Sequence, residues 1–145
     1  MAQACLLDRL LYIANPRAIA GMSPELVGQQ SIMRHLTLLL NTRKGSVPID
    51  PDYGLSDMNN IAGSFSSGTS EDICLEIIQQ INRYEPRLLN PKISSVTEVN
   101  DIISLKYELN AHIIGSQVVA ANDSFSMYLR INSAGRVRLE PRRDR

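Results

Sequence analysis

The segment Glu85-Pro86-Arg87 carries the most suggestive pair of charges in this 145-residue chain. Pro86 restricts Glu85 to extended backbone geometry, and alternate residues of an extended stretch face the same side. Glu85 and Arg87 are therefore predicted to lie side by side, as a carboxylate and a guanidinium able to form a bidentate pair. Two interpretations stay open: the pair grips another protein chain, or it is a local ion pair at a helix end.

A second candidate site combines the end of a predicted helix with a tight turn. Asn and Gly favour left-handed geometry at helix ends, and the turn that follows is expected to return a leucine to the core. A well-packed connection and a functional loop both fit this pattern. The residues of this structural motif are Asn41, Thr42, Arg43 and Gly45 at the helix end, and Asp52, Tyr53, Gly54 and Leu55 in the turn.

Patterns required for common catalytic, metal and nucleotide chemistry do not occur in the sequence. His35 and His112 belong to no metal-binding motif, and the glycine-rich stretch 63–70 lacks the lysine of a phosphate loop. Cys74 lies among isoleucines of a predicted helix and is expected to be a core residue. We therefore predict no cofactor, no metal site and no catalytic residue.

Composition and charge narrow the function classes further. The 15 basic and 15 acidic residues give zero net charge, which argues against a dedicated nucleic-acid binder. Five arginines follow residue 135, so this end either meets an acidic protein surface or is a solvated tail. The sequence has no run of about 20 apolar residues, no signal-peptide pattern and only two cysteines. We expect a soluble, cytoplasmic protein without direct membrane insertion.

An amphipathic helix is predicted at residues 5–13. Its leucines and isoleucine nearly fill one side, and Asp8 and Arg9 lie on the other. The sequence divides into this N-terminal helix, 1–16, and a single domain, 17–145. Whether the helix docks on its own domain or on a partner is open.

Two longer helices are predicted next. The second helix begins at Ser23, which is followed by a proline at the first helical position, and it ends near Asn41. The third helix begins at Ser70 and is ended by Pro86.

Strands are predicted in the second half of the chain. Apolar and polar residues alternate over 103–113 and 125–131, a first strand is placed at 92–99, and a short last strand at Val137–Leu139. The predicted fold class is α+β, with N-terminal helices packed on a C-terminal, mainly antiparallel β-sheet.

In their order and spacing these motifs resemble the lysozyme-like baseplate family of contractile phage tails, and within it the type VI secretion branch. The resemblance rests on the Leu6–Leu10 start and on the stretches His35–Gly45, Pro51–Leu55 and Tyr84–Leu88. It implies structural work: family members lie in the baseplate wedge, at the inner edge of the contractile sheath, and initiate sheath assembly.

Partners also follow from the resemblance. It implies that Glu85, Pro86 and Arg87 contact the core helical bundle of the wedge. The implied wedge partners are TssF and TssG, with TssK nearby and TssB/TssC as the sheath, assembled on the cytoplasmic side at the inner membrane. Sheath pairing requires an exposed sheet edge, and the candidate edge comprises Arg136, Val137, Arg138 and Leu139.

Three alternatives remain beside this interpretation. The nearest is a baseplate wedge protein of a contractile phage or phage-like particle, and another is a free-standing adaptor. The third is a peptidoglycan-cleaving enzyme, for which two carboxylates would have to flank the bond. Arg87 beside Glu85 favours the ionised carboxylate, which is the wrong direction for a general acid, and the sequence has no tryptophan to line a sugar cleft.

Overall fold

Capping side chains mark the beginnings of the first two α-helices. The computed structural model describes residues 4–57, 67–96, 104–114 and 124–142. Helix α1 spans Leu6–Ala14, and a short 3-10 helix follows at Pro16–Ile19. Helix α2 spans Pro24–Asn41, with the Ser23 hydroxyl accepting a hydrogen bond from the Leu26 amide at 3.3 Å. Both α-helices agree closely with the predicted bounds.

Helix α3 spans Ser67–Tyr84 and therefore begins one turn before the predicted start at Ser70. Ser70 does not cap the helix, because its hydroxyl lies 3.1 Å from the Tyr107 hydroxyl and is directed to the sheet. The helix ends just before the Glu85–Pro86 pair, as proline requires.

The strands form one antiparallel sheet in the order β1-β2-β3-β4. They span Leu88–Val96, Leu105–Ile113, Ser124–Ile131 and Val137–Pro141. This arrangement confirms the predicted α+β fold class, with helices first in the chain and an antiparallel sheet after them. Strands β1 and β4 are the two edges of the sheet.

Strand β1 begins at Leu88, four residues before its predicted start. Asn90 and Pro91 are residue types that favour turns, but here they lie within a β-bulge between Leu89 and Lys92, where Asn90 adopts a φ of 49°. The bulge lets the buried Leu88 pair with Ile113 ahead of it. The predicted residues 97–99 and 103 lie outside the described residues, as do Arg143 and Arg145.

The main core lies between the sheet and helices α2 and α3. Alternate strand residues point into it, as their period-two pattern predicts, and both helices contribute residues at helical spacing. Its fully or nearly fully buried members include Ile32, Leu36, Leu39, Ile77, Ile81, Tyr107, Leu109, Met127 and Leu129. A second, smaller cluster joins Ala4 and Tyr12 of the N-terminal region to Val27 of α2. None of the helices in the described ranges has the length and apolar character to cross a membrane.

Candidate functional site: a buried ionic network beneath the first helix

Glu85, Pro86 and Arg87 form the junction between α3 and β1. The Glu85 side chain is completely buried, and Arg87 is 16% exposed. Arg87 Nε donates to Glu85 Oε1 at 2.6 Å, and Arg87 Nη2 donates to Glu85 Oε2 at 2.7 Å. Pro86, between them, is exposed. The structure therefore places the carboxylate and guanidinium side by side in a bidentate pair within the chain.

Helix α2 adds two polar side chains to this pair. His35 Nδ1 lies 2.7 Å from Glu85 Oε2, and the Ser31 hydroxyl accepts a hydrogen bond from Arg87 Nη1 at 2.9 Å. Ser31 and His35 are four residues apart, so both lie on the same face of the helix. Both oxygens of the buried carboxylate and all three guanidinium nitrogens of Arg87 are thus in hydrogen bonds.

Helix α1 joins the same set of contacts through Asp8. The Ser31 hydroxyl donates to Asp8 Oδ2, and Arg34 Nη1 donates to Asp8 Oδ1 at 2.8 Å. The Cys5 amide also donates to the Ser31 hydroxyl at 3.0 Å. We call these six residues the buried network; it consists of Asp8, Ser31, Arg34, His35, Glu85 and Arg87.

Both carboxylates of the buried network are held in their ionised form. Burial alone raises the pKa of Glu85, but hydrogen bonds from Arg87 and His35 outweigh it, so the pKa is lowered overall. For Asp8, burial again raises the pKa, and hydrogen bonds from Ser31, Cys5 and Arg34 lower it below the usual value. A lowered pKa does not suit the general acid of a glycoside hydrolase.

These lowered pKa values predict a loss of stability in acid. A carboxylate whose folded-state pKa is depressed contributes stability above its unfolded pKa of roughly 4, and this contribution disappears as the pH falls through the folded pKa. We expect the urea midpoint to fall as the pH drops below about 4. The Glu85→Gln variant should show a shallower fall, measured by urea unfolding at each pH; an equal slope in both proteins would contradict this assignment.

The orientation of α1 is a feature that the sequence analysis did not resolve. Asp8 and Tyr12 are the buried residues of the helix, at 3% and 6% exposure, whereas the leucine side is exposed. A signal for this was present, because Ala4, Asp8 and Tyr12 recur at intervals of four and define one face. Ser31 and His35 likewise put polar groups on one side of α2, and neither was assigned a role from the sequence.

The structural motif after α2 is a tight crossing of two backbone segments. The Leu55 amide donates to the Thr42 carbonyl at 2.9 Å, the Lys44 amide donates to the Leu55 carbonyl at 2.8 Å, and the Gly45 amide donates to the Pro51 carbonyl at 2.9 Å. Arg43 and Leu55 form a parallel bridge. Leu55 is buried in the main core, at 3% exposure.

Helix α3 holds the same turn from the other side. Gln80 is buried, accepting from the Gly54 amide at 2.9 Å and donating to the Asp52 carbonyl at 3.0 Å. The rings of Tyr53 and Tyr84 meet edge to face, with centroids 4.9 Å apart. These contacts make the turn part of the packed structure.

Three of the four predicted edge residues, Val137–Leu139, lie in strand β4, and Arg136 directly precedes it. The outer edge of this strand is partly covered. The Asn41 side chain donates to the Val137 carbonyl and accepts from the Val137 amide, both at 2.9 Å, as a neighbouring strand would. The Arg136 carbonyl accepts a hydrogen bond from the Asn132 amide. Successive residues of an antiparallel strand direct their backbone groups alternately toward and away from the neighbouring strand, so the N–H and C=O of Leu139 are directed away from β3. Pro141 has no amide hydrogen. Leu139 is therefore the residue of β4 that offers both backbone groups to an incoming strand.

A groove of about 720 Å³ lies between this edge and α2. Arg136 and Arg138 are exposed beside it, and Leu38 of α2, 61% exposed, lines its other wall. The cationic end continues to Arg142, which pairs with Glu108. The groove thus combines the outward N–H and C=O groups of Leu139 with apolar surface and positive charge.

Metal and nucleophile chemistry find little support in the described ranges. Within residues 4–57, 67–96, 104–114 and 124–142, no three His, Cys, Asp or Glu side chains are grouped to hold a metal ion. Cys74 packs against the main core, and burial raises the pKa of its thiol, so a reactive thiolate is disfavoured there.

Comparison with known proteins gives a consistent set of relatives. The sequence profile of the family described as "Baseplate wedge protein gp25" matches residues 27–118, more than half of the chain. The baseplate wedge protein gp25 of Enterobacteria phage T4 is 26% identical over 111 residues, which cover 77% of this chain and 80% of the phage protein.

Two solved structures share the fold. A protein described as a tail lysozyme from Geobacter sulfurreducens matches with a TM-score of 0.58 and 14% identity, covering 72% of this chain and 89% of that chain. A chain of the baseplate complex from the type VI secretion system matches with a TM-score of 0.54 and 21% identity, covering 78% of this chain and 93% of that chain.

Proposed function

Because this chain belongs to the family of baseplate wedge protein gp25, we propose that it is the TssE-type wedge subunit of a type VI secretion baseplate. In this role it joins the wedge core to the contractile sheath and initiates sheath assembly. Its proposed partners are TssF and TssG in the wedge, TssK nearby, and TssB/TssC in the sheath. Assembly takes place on the cytoplasmic side, at the inner membrane.

The observation that carries this proposal is the edge of β4. An edge strand with the outward N–H and C=O groups of Leu139, next to a groove with exposed arginines, suits addition of a strand from another protein. The Asn41 side chain already bonds the outward backbone groups of Val137. The incoming strand therefore pairs at Leu139 and runs on past the end of β4. Arg136 and Arg138 orient that strand through acidic side chains on the sheath protein.

The wedge contact is assigned to Glu85, Pro86 and Arg87, at the junction between α3 and β1. Glu85 is buried and fully paired, so its carboxylate supports this contact from inside the chain. The exposed Pro86 and the helix that the buried network holds in place are the parts that reach a partner. The two assigned surfaces lie on different elements and can be tested separately.

Reversing both edge charges tests the sheath assignment. We expect Arg136→Glu/Arg138→Glu to keep co-elution with co-expressed TssF and TssG, and to abolish TssB/TssC sheath nucleation on the assembled baseplate. The double variant Lys44→Glu/Lys92→Glu changes the net charge equally at two exposed positions that do not line the groove beside β4, and it should nucleate normally. Normal nucleation by the β4 variant would overturn the sheath assignment, and absence of wild-type co-elution would overturn the wedge assignment.

A wedge protein of a contractile phage or phage-like particle is the second candidate, favoured by the similarity to the phage T4 protein. It is distinguished by the same co-expression, because a phage wedge subunit would not co-elute with TssF and TssG. Peptidoglycan cleavage is not proposed, since the Glu85 carboxylate is buried, ionised and engaged by Arg87 and His35.

A further inference from the structure

Helix α1 presents an apolar face to solvent. Its large apolar side chains are between 54% and 71% exposed; they are Leu6, Leu7, Leu10, Leu11 and Ile13. We propose that this face, called the leucine face below, docks an α-helical segment of another baseplate protein, one with an apolar seam and acidic flanking residues. The inference rests on the proposed function and names the surface that makes its wedge contact.

The leucine face does not pack against this chain's own core. Helix α1 is anchored through its opposite side, where Asp8 is buried in the network and Tyr12 packs in the second cluster with Val27. A nine-residue helix is marginal by itself in water, so these contacts are what keep it folded on the domain. The fold thus fixes the helix with its apolar side outward, an arrangement that costs solvation free energy until a partner covers it.

The spacing of the leucine face fits a helix as its partner. At about 100° per residue, its residues form two parallel rows within an arc of roughly 160°. Leu6, Leu10 and Ile13 follow the i, i+4, i+7 pattern, and Leu7 and Leu11 continue beside them. Such rows form the ridges that pack into the grooves of a second helix, and this pattern of anchors is the one used in helix-in-groove recognition.

Charge distinguishes the occupant from a second copy of this chain. The exposed charges on α1 and the following 3-10 helix are Arg9 and Arg17, whereas Asp8 is buried and paired. A second copy would bring like charges together along the seam, and repulsion between like charges disfavours that pairing. Acidic residues along the edges of the partner helix would instead complement both arginines.

The buried network gives the Glu85–Arg87 pair a defined part in this contact. Arg87 bonds Ser31, and Ser31 in turn bonds Asp8 of α1. The pair therefore acts as a positioning device that fixes the direction of the leucine face. It does not have to touch the partner to be needed for binding.

The test is the double variant Leu7→Gln/Leu10→Gln in the full chain, at the centre of the leucine face. Binding to the co-expressed TssF–TssG complex should weaken by about 100-fold, since the loss of each buried anchor residue lowers the affinity by roughly tenfold. The urea midpoint should stay unchanged, because both side chains are solvent-exposed in the free protein. The matched control is Leu75→Gln/Ile49→Gln, which alters two exposed apolar residues elsewhere and should bind normally.

Each other result overturns a specific statement. Wild-type protein that fails to co-elute removes the proposed function and this inference together, whereas equal binding by wild type and Leu7→Gln/Leu10→Gln removes the inference alone. A wild-type dimer in light scattering that becomes monomeric in the variant identifies a second copy as the occupant. Sedimentation of wild type, but not variant, with vesicles containing anionic phospholipid identifies a membrane surface. If Arg9→Glu binds the TssF–TssG complex with unchanged affinity and salt dependence, the proposal that acidic residues flank the apolar seam of the partner helix is wrong.

Discussion

Glu85→Ala is expected to lower the free energy of unfolding by about 3–5 kcal/mol, because it removes one partner of a buried ion pair. The Arg87 guanidinium, 16% exposed, would lose both bonds to the carboxylate and with them its directly bonded counter-ion. His35 would lose the same partner. Urea unfolding at pH 7 measures the loss.

The matched control is an exposed ion pair formed by Arg83, which lies in the last turn of α3 close to Glu85. Arg83 and Asp52 are 3.2 Å apart, with side chains 57% and 59% exposed, and solvent screens such a pair strongly. Arg83→Ala should therefore leave the urea midpoint almost unchanged. Similar midpoints for Glu85→Ala and Arg83→Ala would contradict a structural role for the buried network.

The Glu85→Ala substitution is also expected to loosen helix α1. Since Arg87 and Ser31 connect the carboxylate to Asp8, the variant should loosen α1 before the main core unfolds. Hydrogen exchange should therefore accelerate first in the amides of Leu6–Ala14. Faster exchange confined to the sheet would place the effect of Glu85 elsewhere.

Gly54→Ala is expected to destabilise the protein by about 4 kcal/mol, at the upper end of single-residue effects. Gly54 has a φ of 105°, where side chains are strained, and an added Cβ would lie 2.3 Å from the Thr42 carbonyl oxygen. That oxygen is backbone and accepts the Leu55 amide. The clash can be relieved only by pulling apart the crossing that carries Leu55 into the core.

Gly45→Ala provides a control in the same motif. Gly45 has a φ of 84°, but a Cβ there would meet nothing within 4 Å. Its substitution should cost only the backbone strain of roughly 1–2 kcal/mol. Thermal and urea unfolding of both variants measure the difference, and equal losses would mean that strain, and not the contact with Thr42, makes glycine necessary at residue 54.

Most of the secondary structure and part of the local pairing could be predicted from the sequence, although α3 and β1 begin earlier than expected. Ser23 and its following proline predict the start of α2, and period-two alternation predicts which residues of β2 and β3 enter the core. Pro86 predicts the geometry that brings Glu85 beside Arg87. These features depend on residues close together in the chain, so local stereochemistry is enough to predict them.

Which side of α1 faces the domain could not be predicted from the sequence. Periodicity shows that its leucines share one side and that Asp8 lies on another, but either side of a short helix can face the domain. The choice depends on Ser31 and Arg34, far away in sequence, which offer Asp8 hydrogen bonds and an opposite charge. Burial of a carboxylate is tolerated because these partners compensate its desolvation.

The edge of β4 and the buried network also depend on contacts between residues far apart in the sequence. The Asn41 amide covers Val137 across 96 residues, and His35 meets Glu85 across 50. Hydrogen bonds of this kind leave no periodic signal in sequence, since they require only one polar group at each of two distant positions. They form because the fold brings those groups together where a buried polar atom must find a partner.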